Sequence, residues 1–478
     1  MNRKKNVIVL LCDQLQKRVT DPDHICIMEN LSRLREDSVS FTQAHAANAI
    51  CSPSRASLMT GKLPHNHGMV DCAHTVPAFR ADYDSSLDTL SRRLKAADYR
   101  TAYYGKWHVE RTYDLGQYGF DEYETEMDLP VFHLTPVSKV VIRTEGYRDK
   151  TICGTFSEDQ KSTEEYYIYS KAMDFMKKAG AEGQPFCTFI STYAPHDPYA
   201  VPEEIYKKYH DIPIELPSSF GEDMGDKPSV YRRLQSVWKE LSREECKEIL
   251  RCYYSYCTLI DLQIGRLVEF LKRERLYDDT LIVFTADHGD LMGAHGLFCK
   301  GVPAFEETYS IPLIMKLPGQ EKAGFVCSAY ANTYDLAPTI LELLDCEPLQ
   351  NPIDGTSLVS YMEGEDPKDS MCFAEFEGQR YAYTQRIVWS RGWKYVFNTF
   401  DYDELYDLNR DPHETENLAA LSEYEDKKKE MAALMWEWIL KTGDDTLTDA
   451  QYVMLRFAPQ GPNTQKSKAS FAIFNKPF

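Results

Sequence analysis

Asp13 and Gln14 follow one short apolar run, and Asp287 and His288 follow another, so four side chains able to hold a divalent cation stand just past two apolar segments. In open α/β sheets, sites form beyond the carboxyl ends of the strands, which would bring these four to one point. Three oxygen donors and an imidazole suit Ca²⁺, Mg²⁺ or Mn²⁺. An Asp at a strand end also serves as a routine helix cap, so the set needs company before it means a metal. A third element is Cys51-Ser52-Pro53-Ser54-Arg55, running into Ala56-Ser57-Leu58-Met59-Thr60-Gly61. Pro and Ser before an apolar turn read as a helix start, and Gly61 as its C-cap. Cys51 then lies beside free amide N–H groups, which attract anions and stabilise a thiolate. The ordinary alternative is a buried, unreactive thiol, one among thirteen cysteines.

The elements that must position these groups are legible in outline. Residues 6–12, 186–192 and 281–286 are Val-, Ile-, Leu- and Phe-rich runs that read as strands buried on both faces of a parallel sheet. Helical patterns fall between them at 87–97, 164–179 and 244–273. This alternation predicts an α/β fold: a large mixed, mostly parallel sheet sandwiched by helices, spanning residues 1–370. After residue 370 short strands follow closely at 372–376, 386–389 and 394–397, then a helix at 422–441. They predict a smaller α+β C-terminal subdomain, 371–445, with an antiparallel sheet and a helix. The tail, 446–478, carries Phe457, Phe471, Phe474 and Phe478, apolar surface for the body or for a neighbouring subunit. A homo-oligomer is expected on that ground, with an unattached terminus as the alternative.

The formal net charge of −20 argues against non-specific binding to nucleic acid or to anionic membranes. It leaves room for an anionic ligand in a local cationic pocket. No apolar stretch reaches the length of a membrane span. The run after Lys4 and Lys5 is too short for a signal peptide and is broken by Asp13, so a cytoplasmic location is expected. The cysteines lack framework spacing and read as reduced thiols. His65, His67 and His74 fit no standard zinc spacing; His67-Gly68 reads as a turn, and His65 and His74 as pocket-lining residues. The 31 tyrosines are sugar-stacking candidates, though core is their commoner fate.

Cys51-x-Pro53-x-Arg55 followed by Ala-Ser-Leu-Met-Thr-Gly resembles the signature of the type I sulfatases, within the alkaline phosphatase-like superfamily. Further segments resemble that family in order and rough spacing: Gly105-Lys106-Trp107-His108, Ala194-Pro195-His196-Asp197-Pro198, and Asp287-His288-Gly289 with His295-Gly296 and Lys300-Gly301. So do Trp393-Lys394-Tyr395, Glu404-Leu405-Tyr406-Asp407-Leu408, Asp411-Pro412 and Glu416-Asn417-Leu418. The resemblance covers residues 6 to about 420.

It implies hydrolysis of sulfate monoesters such as sulfated saccharides, glycosaminoglycan fragments or aryl sulfates. It implies that Cys51 is oxidised to Cα-formylglycine by a dedicated enzyme acting on the unfolded chain. It implies that Asp13, Gln14, Asp287 and His288 hold the metal together with the group at position 51, Ca²⁺ first and Mn²⁺ as alternative. Arg55 is then expected to support the formylglycine hydrate. Lys106 and Lys300 would bind sulfate oxygens, His108 would take the hydrate proton, and His196 would protonate the departing alcohol. An attack at sulfur requires this equipment in any case: neutralised charge, an in-line nucleophile and a proton for the leaving group. Gln14 stands where many members have a second Asp, and His288 where many have Asn. The same substitutions occur in phosphonate monoester and phosphodiester hydrolases, the first rival reading. A non-catalytic binder of sulfated ligands, with Cys51 left as a thiol, is the second.

Overall fold

Asn6–Cys12 is Asn-Val-Ile-Val-Leu-Leu-Cys and is buried along its whole length. β-Branched and apolar residues facing both ways demand neighbours on both sides. The strand finds them in Phe186–Thr192 and Thr280–Ala286, both parallel to it. The register pairs Cys12 with Thr192 on one side and Ala286 on the other, so the three chains leave the sheet at one level. The computed structural model describes residues 4–444 except 75–82, 133, 135, 144–148, 351, 380–382 and 400. The expected tail, 446–478, lies outside the described residues.

The main sheet has eight strands, in the order Val326–Asn332, Val39–His45, Leu313–Lys316, Thr280–Ala286, Asn6–Cys12, Phe186–Thr192, Arg100–Gly105, Glu122–Thr125. All neighbours pair in parallel except Leu313–Lys316, which runs antiparallel to both of its partners. The helices Glu164–Glu182 and Arg243–Arg273 pack on it. The longer helix begins at a capping box in which Ser242 and Glu245 satisfy each other's amides. This is the α/β architecture expected from the alternating pattern.

Element ends shift for local reasons. The helix expected from residue 87 starts at Leu90, because the Thr89 side chain accepts the Arg92 amide and caps it there. The last helix is Glu425–Thr442, entered through a single 3-10 turn at Ser422–Tyr424. A three-stranded sheet, Val137–Ile142, Lys150–Phe156 and Tyr199–Pro202, was not foreseen. Its first strand is half exposed and irregular in register, so its sequence carries no clean alternation.

The C-terminal sheet is antiparallel: Met371–Phe376, Gln385–Ser390, Trp393–Asn398 and Glu404–Asp407. The Glu425–Thr442 helix covers one face, with Phe373 stacked on Trp438 at 4.3 Å. The other face meets the main body through Ile387, Trp389, Tyr309 and Tyr330. There Lys394 is buried and paired with Glu414 at 2.7 Å and with Glu306 at 3.2 Å. No helix among the described residues is long and apolar enough to cross a membrane. All thirteen cysteines are unpaired.

Candidate active site

The Val39–His45 strand leads into the helix Cys51–Thr60, which is buried throughout and ends at Gly61, whose φ of 66° is the left-handed cap a glycine supplies without strain. Cys51 is therefore the first residue of a buried helix. Its Sγ lies 2.9 Å from Lys300 Nζ, 3.4 Å from His288 Nε2, 3.7 Å from Asp13 Oδ1 and 3.8 Å from Lys106 Nζ. Burial and the Asp13 carboxylate oppose ionisation of the thiol. Lys106, Lys300 and His288 outweigh them and hold it well below the usual thiol range.

Asp13, Cys51, Asp287 and His288 each offer one atom to a cluster whose members lie within 4.8 Å of one another, all buried. Asp287 Oδ1 accepts the amides of Gln14 and His288, at 3.0 and 2.9 Å, and Oδ2 accepts Arg55 Nε at 2.7 Å. Gln14 adopts φ 65°, a strained value for a residue with a side chain. Tyr253 of the long helix holds its carbonyl at 2.8 Å. Its side-chain Nε2 donates to Asp290 Oδ2, which leaves Oε1 buried and without a hydrogen-bond partner. His288 places Nδ1 against its neighbour's carbonyl, Gly289 O, at 2.9 Å, so Nε2 faces the cluster. An orphaned buried oxygen, two carboxylates and an imidazole steadied on a backbone oxygen are what a divalent cation requires, so the residues fit the ion.

Arg55 lies beside the carboxylates of the cluster. Its guanidinium bonds Asp287, the Lys106 carbonyl at 2.6 Å and Ser191 Oγ at 2.7 Å, and lies 3.5 Å from Asp13. Among the described residues no hydrogen bond joins it to Cys51. It braces the carboxylates that face Cys51.

Lys106 follows the Arg100–Gly105 strand. Gly105 turns at φ 99°, with Ser191 O where a Cβ would stand, at 2.1 Å, so only glycine lets the chain swing Lys106 inward. Lys106 Nζ then reaches Asp13 Oδ2. Burial opposes the charge on Asp13, but Lys106 and Lys300 keep it well below the carboxylate range. His108, at φ 48°, is held by Glu126, which accepts the amides of Trp107 and His108 at 2.6 and 3.1 Å. His196 donates through Nδ1 to the Asp197 carbonyl at 2.7 Å. Burial, then Lys300, pushes its pKa down to about 4. Cys51, Lys106, His108, His196 and Lys300 all line one cleft of about 490 Å³.

Several residues of the site carry no signal in a linear pattern: Glu126, Tyr253, Asp290, Tyr193 and Lys150, which pairs with Asp197 at 2.7 Å. Glu126 and Tyr253 hold the positive-φ turns at His108 and Gln14, a pairing of separate segments that only the fold creates. One histidine expectation is corrected. His65 faces away from the cleft and bonds Glu375 Oε1 at 2.5 Å, because the short Pro64–His67 helix packs against the C-terminal sheet. His74 does line the cleft, while His67 is buried against Ser57 Oγ at 3.0 Å, with Gly68 as the left-handed cap.

The family model described as Sulfatase matches residues 5–346, and one described as N-sulphoglucosamine sulphohydrolase, C-terminal, matches 293–441. The chain is 29% identical over 436 residues to a choline-sulfatase of Rhizobium meliloti, covering 87% of this chain and 82% of that protein. It is 24% identical over 529 residues to an N-acetylglucosamine-6-O-sulfatase of Bacteroides thetaiotaomicron, covering 95% and 89%. Among solved structures, a complex with the substrate D-glucosamine-2-N,6-O-disulfate superposes with a TM-score of 0.75 at 22% identity, covering 92% of this chain and 99% of that one. A phosphonate monoester hydrolase of Agrobacterium radiobacter also gives 0.75 at 23% identity, covering 92% and 96%. The last two likenesses speak to the fold.

Proposed function

The chain belongs to the sulfatase family and is a sulfuric ester hydrolase, and from that premise we propose that Cys51 is the precursor of its nucleophile. In this reading a maturation enzyme recognises Cys51, Pro53 and Arg55 in the unfolded chain and oxidises Cys51 to formylglycine. The observation that carries it is the convergence on Cys51 Sγ of Lys300, His288, Asp13 and Lys106, all within 3.8 Å. That sulfur marks where the oxygens of the hydrated aldehyde would lie.

The hydrated aldehyde supplies two hydroxyls on one carbon, one to attack sulfur and one whose deprotonation releases sulfate. A divalent cation held by Asp13, Gln14, Asp287 and His288 supplies charge neutralisation at a sulfate oxygen and a lowered pKa for the adjoining hydroxyl. Ca²⁺ is the proposed ion, and the His288 imidazole makes Mn²⁺ its competitor. Lys106 and Lys300 take the remaining sulfate oxygens. Lys106, buried, and Lys300, part-buried, are both held beside Asp13, so little reorganisation is needed when charge develops. His108 receives the proton lost on sulfate release. His196 delivers a proton to the departing alcohol; an arriving sulfate anion raises its depressed pKa and so loads it with that proton. Arg55 supports the hydrate by holding Asp13 and Asp287, the carboxylates that face it.

Sulfated sugars are the proposed substrate class. Lys150, Gln379 and Tyr193 at the cleft wall are groups that bind anions, hydroxyls and ring faces, and the sugar-sulfate relatives support the choice. The second reading, a phosphonate monoester or phosphodiester hydrolase, draws on the neutral Gln14 and His288 in the donor set and on the shared fold. Two measurements test the proposal. Mass spectrometry of the Cys51 peptide from active protein should show a loss of about 18 Da. Kinetics on matched aryl sulfate and phosphonate esters should favour sulfate; a phosphonate preference of several orders of magnitude would overturn it.

A further inference from the structure

Beside the oxygen-rich cluster, the cleft holds a second group of metal-binding atoms of a different character. His108 Nε2 lies 2.9 Å from His74 Nδ1 and 3.8 Å from Cys72 Sγ. The three ligand atoms lie within 4.8 Å of one another. Cys72 and His108 are buried, and His74 is exposed at the cleft mouth. The backbone between Cys72 and His74 is fixed on both sides: the Ala73 amide donates to Ser52 Oγ at 2.9 Å, and Arg111 Nε donates to the Ala73 carbonyl.

We propose that Cys72, His74 and His108 form a binding site for a thiophilic divalent ion of the Zn²⁺ class, distinct from the site at Asp13, Asp287 and His288. One thiolate and two imidazoles are the ligands of borderline-soft metals and poor ligands for Ca²⁺. Tetrahedral zinc, with Zn–S of about 2.3 Å and Zn–N of about 2.0 Å, puts sulfur and nitrogen about 3.5 Å apart and two nitrogens about 3.3 Å apart. Two of the separations, 3.8 Å from His108 Nε2 to Cys72 Sγ and 2.9 Å from His108 Nε2 to His74 Nδ1, lie within a few tenths of an ångström of these values, and the third, between Cys72 and His74, is within 4.8 Å, so the exposed His74 side chain makes the larger adjustment. Three protein ligands leave a fourth position for water. Binding releases the Cys72 proton, while each imidazole keeps its single proton on the nitrogen turned away from the ion, His74 Nε2 and His108 Nδ1. The exposed His74 provides the entry path. Occupation takes His108 out of proton transfer, so the ion inhibits turnover. The inhibition rests on the role of His108 proposed above; the binding does not.

Cobalt titration tests the binding. Full-length Cys51→Ala protein, presaturated with Ca²⁺ to fill the oxygen-rich site, should bind one Co²⁺ per chain, with a sulfur-to-cobalt charge-transfer band and tetrahedral visible bands that Zn²⁺ displaces. Cys72→Ser should abolish the charge-transfer band, and His74→Ala should weaken binding at least tenfold, since even outer-shell changes cost about 10- to 100-fold. A missing band, or a band that survives Cys72→Ser, overturns the site. In mature enzyme, Zn²⁺ should inhibit reversibly, with the inhibitory concentration rising at least tenfold in either variant. Unchanged inhibition in both variants overturns the inhibitory role while leaving the sulfatase reading intact.

Discussion

Gln14 Nε2 donates to Asp290 Oδ2 at 2.5 Å, and this bond decides which end of the amide is free. With the nitrogen engaged, Oε1 remains as a buried acceptor without a partner. Asp290 is itself tied by Tyr199 at 2.6 Å and by the Met292 amide at 3.0 Å, so the amide cannot turn without breaking a network. Asp290→Ala should therefore lower the affinity of the Asp13–Asp287 site for its proposed divalent cation by about 10- to 100-fold, the usual effect of losing an orienting partner. Calcium titration by calorimetry would check it, and unchanged affinity would show that Gln14 needs no orienting.

Cys51→Ala should abolish turnover while leaving far-ultraviolet circular dichroism and the unfolding midpoint near those of the parent. The side chain is small and sits at a helix start whose N-cap, Ile50, makes no side-chain capping bond that the substitution could break. Cys51→Ser should also fail, or stall as a sulfated serine seen by mass spectrometry, since serine lacks the second hydroxyl.

Arg55 is buried among carboxylates and carbonyls. Arg55→Met keeps the bulk and removes the charge, leaving Asp287 without its cation. The expected loss is about 3–5 kcal/mol, the cost of breaking a buried pair from one side, read as a fall in the urea midpoint. Activity should fall with it even in protein still folded.

His65 links the turn after the signature helix to Glu375 of the C-terminal sheet. Burial opposes its charge, but Glu375 outweighs burial and lifts the pKa from 6.5 to about 9. A raised pKa means the folded state binds the proton more tightly. The contribution is fully present below pH 6.5 and is lost as pH rises through about 9. Glu375→Gln should remove it. The gap in thermal midpoint between parent and variant should be larger at about pH 6 than at about pH 9.5; a constant gap would rule the linkage out.

Glu126 accepts two consecutive amides and so holds His108 in its strained turn. Glu126→Ala should reduce kcat by more than KM changes, because it displaces His108 without removing a sulfate ligand; the split in steady-state kinetics is the measure.

Much of this was readable in the chain. The apolar runs at Asn6–Cys12, Phe186–Thr192 and Thr280–Ala286 announce buried parallel strands, because side chains facing both ways must all be covered. The helix after Cys51 and its Gly61 cap follow from local backbone chemistry alone. The three-stranded sheet containing Lys150 was not readable, since a half-exposed, irregular strand leaves no periodic trace.

Residue identity alone thus determined the chemical inventory: a cysteine in a recognisable signature, oxygen and imidazole donors after two apolar runs, lysines and histidines in ordered segments. Only the tertiary structure decided how the inventory is used. Asp13 and Asp287 meet because the strands before them run parallel in a register that ends Cys12 level with Ala286, a relation between segments far apart in the chain. Arg55 braces carboxylates, Asp290 orients Gln14, and His65 turns to the C-terminal sheet while His74 turns to the cleft. Local sequence sets backbone preference and periodicity. The direction of a polar side chain in a buried site is set by whichever partners packing brings within hydrogen-bond reach, and those lie elsewhere in the chain.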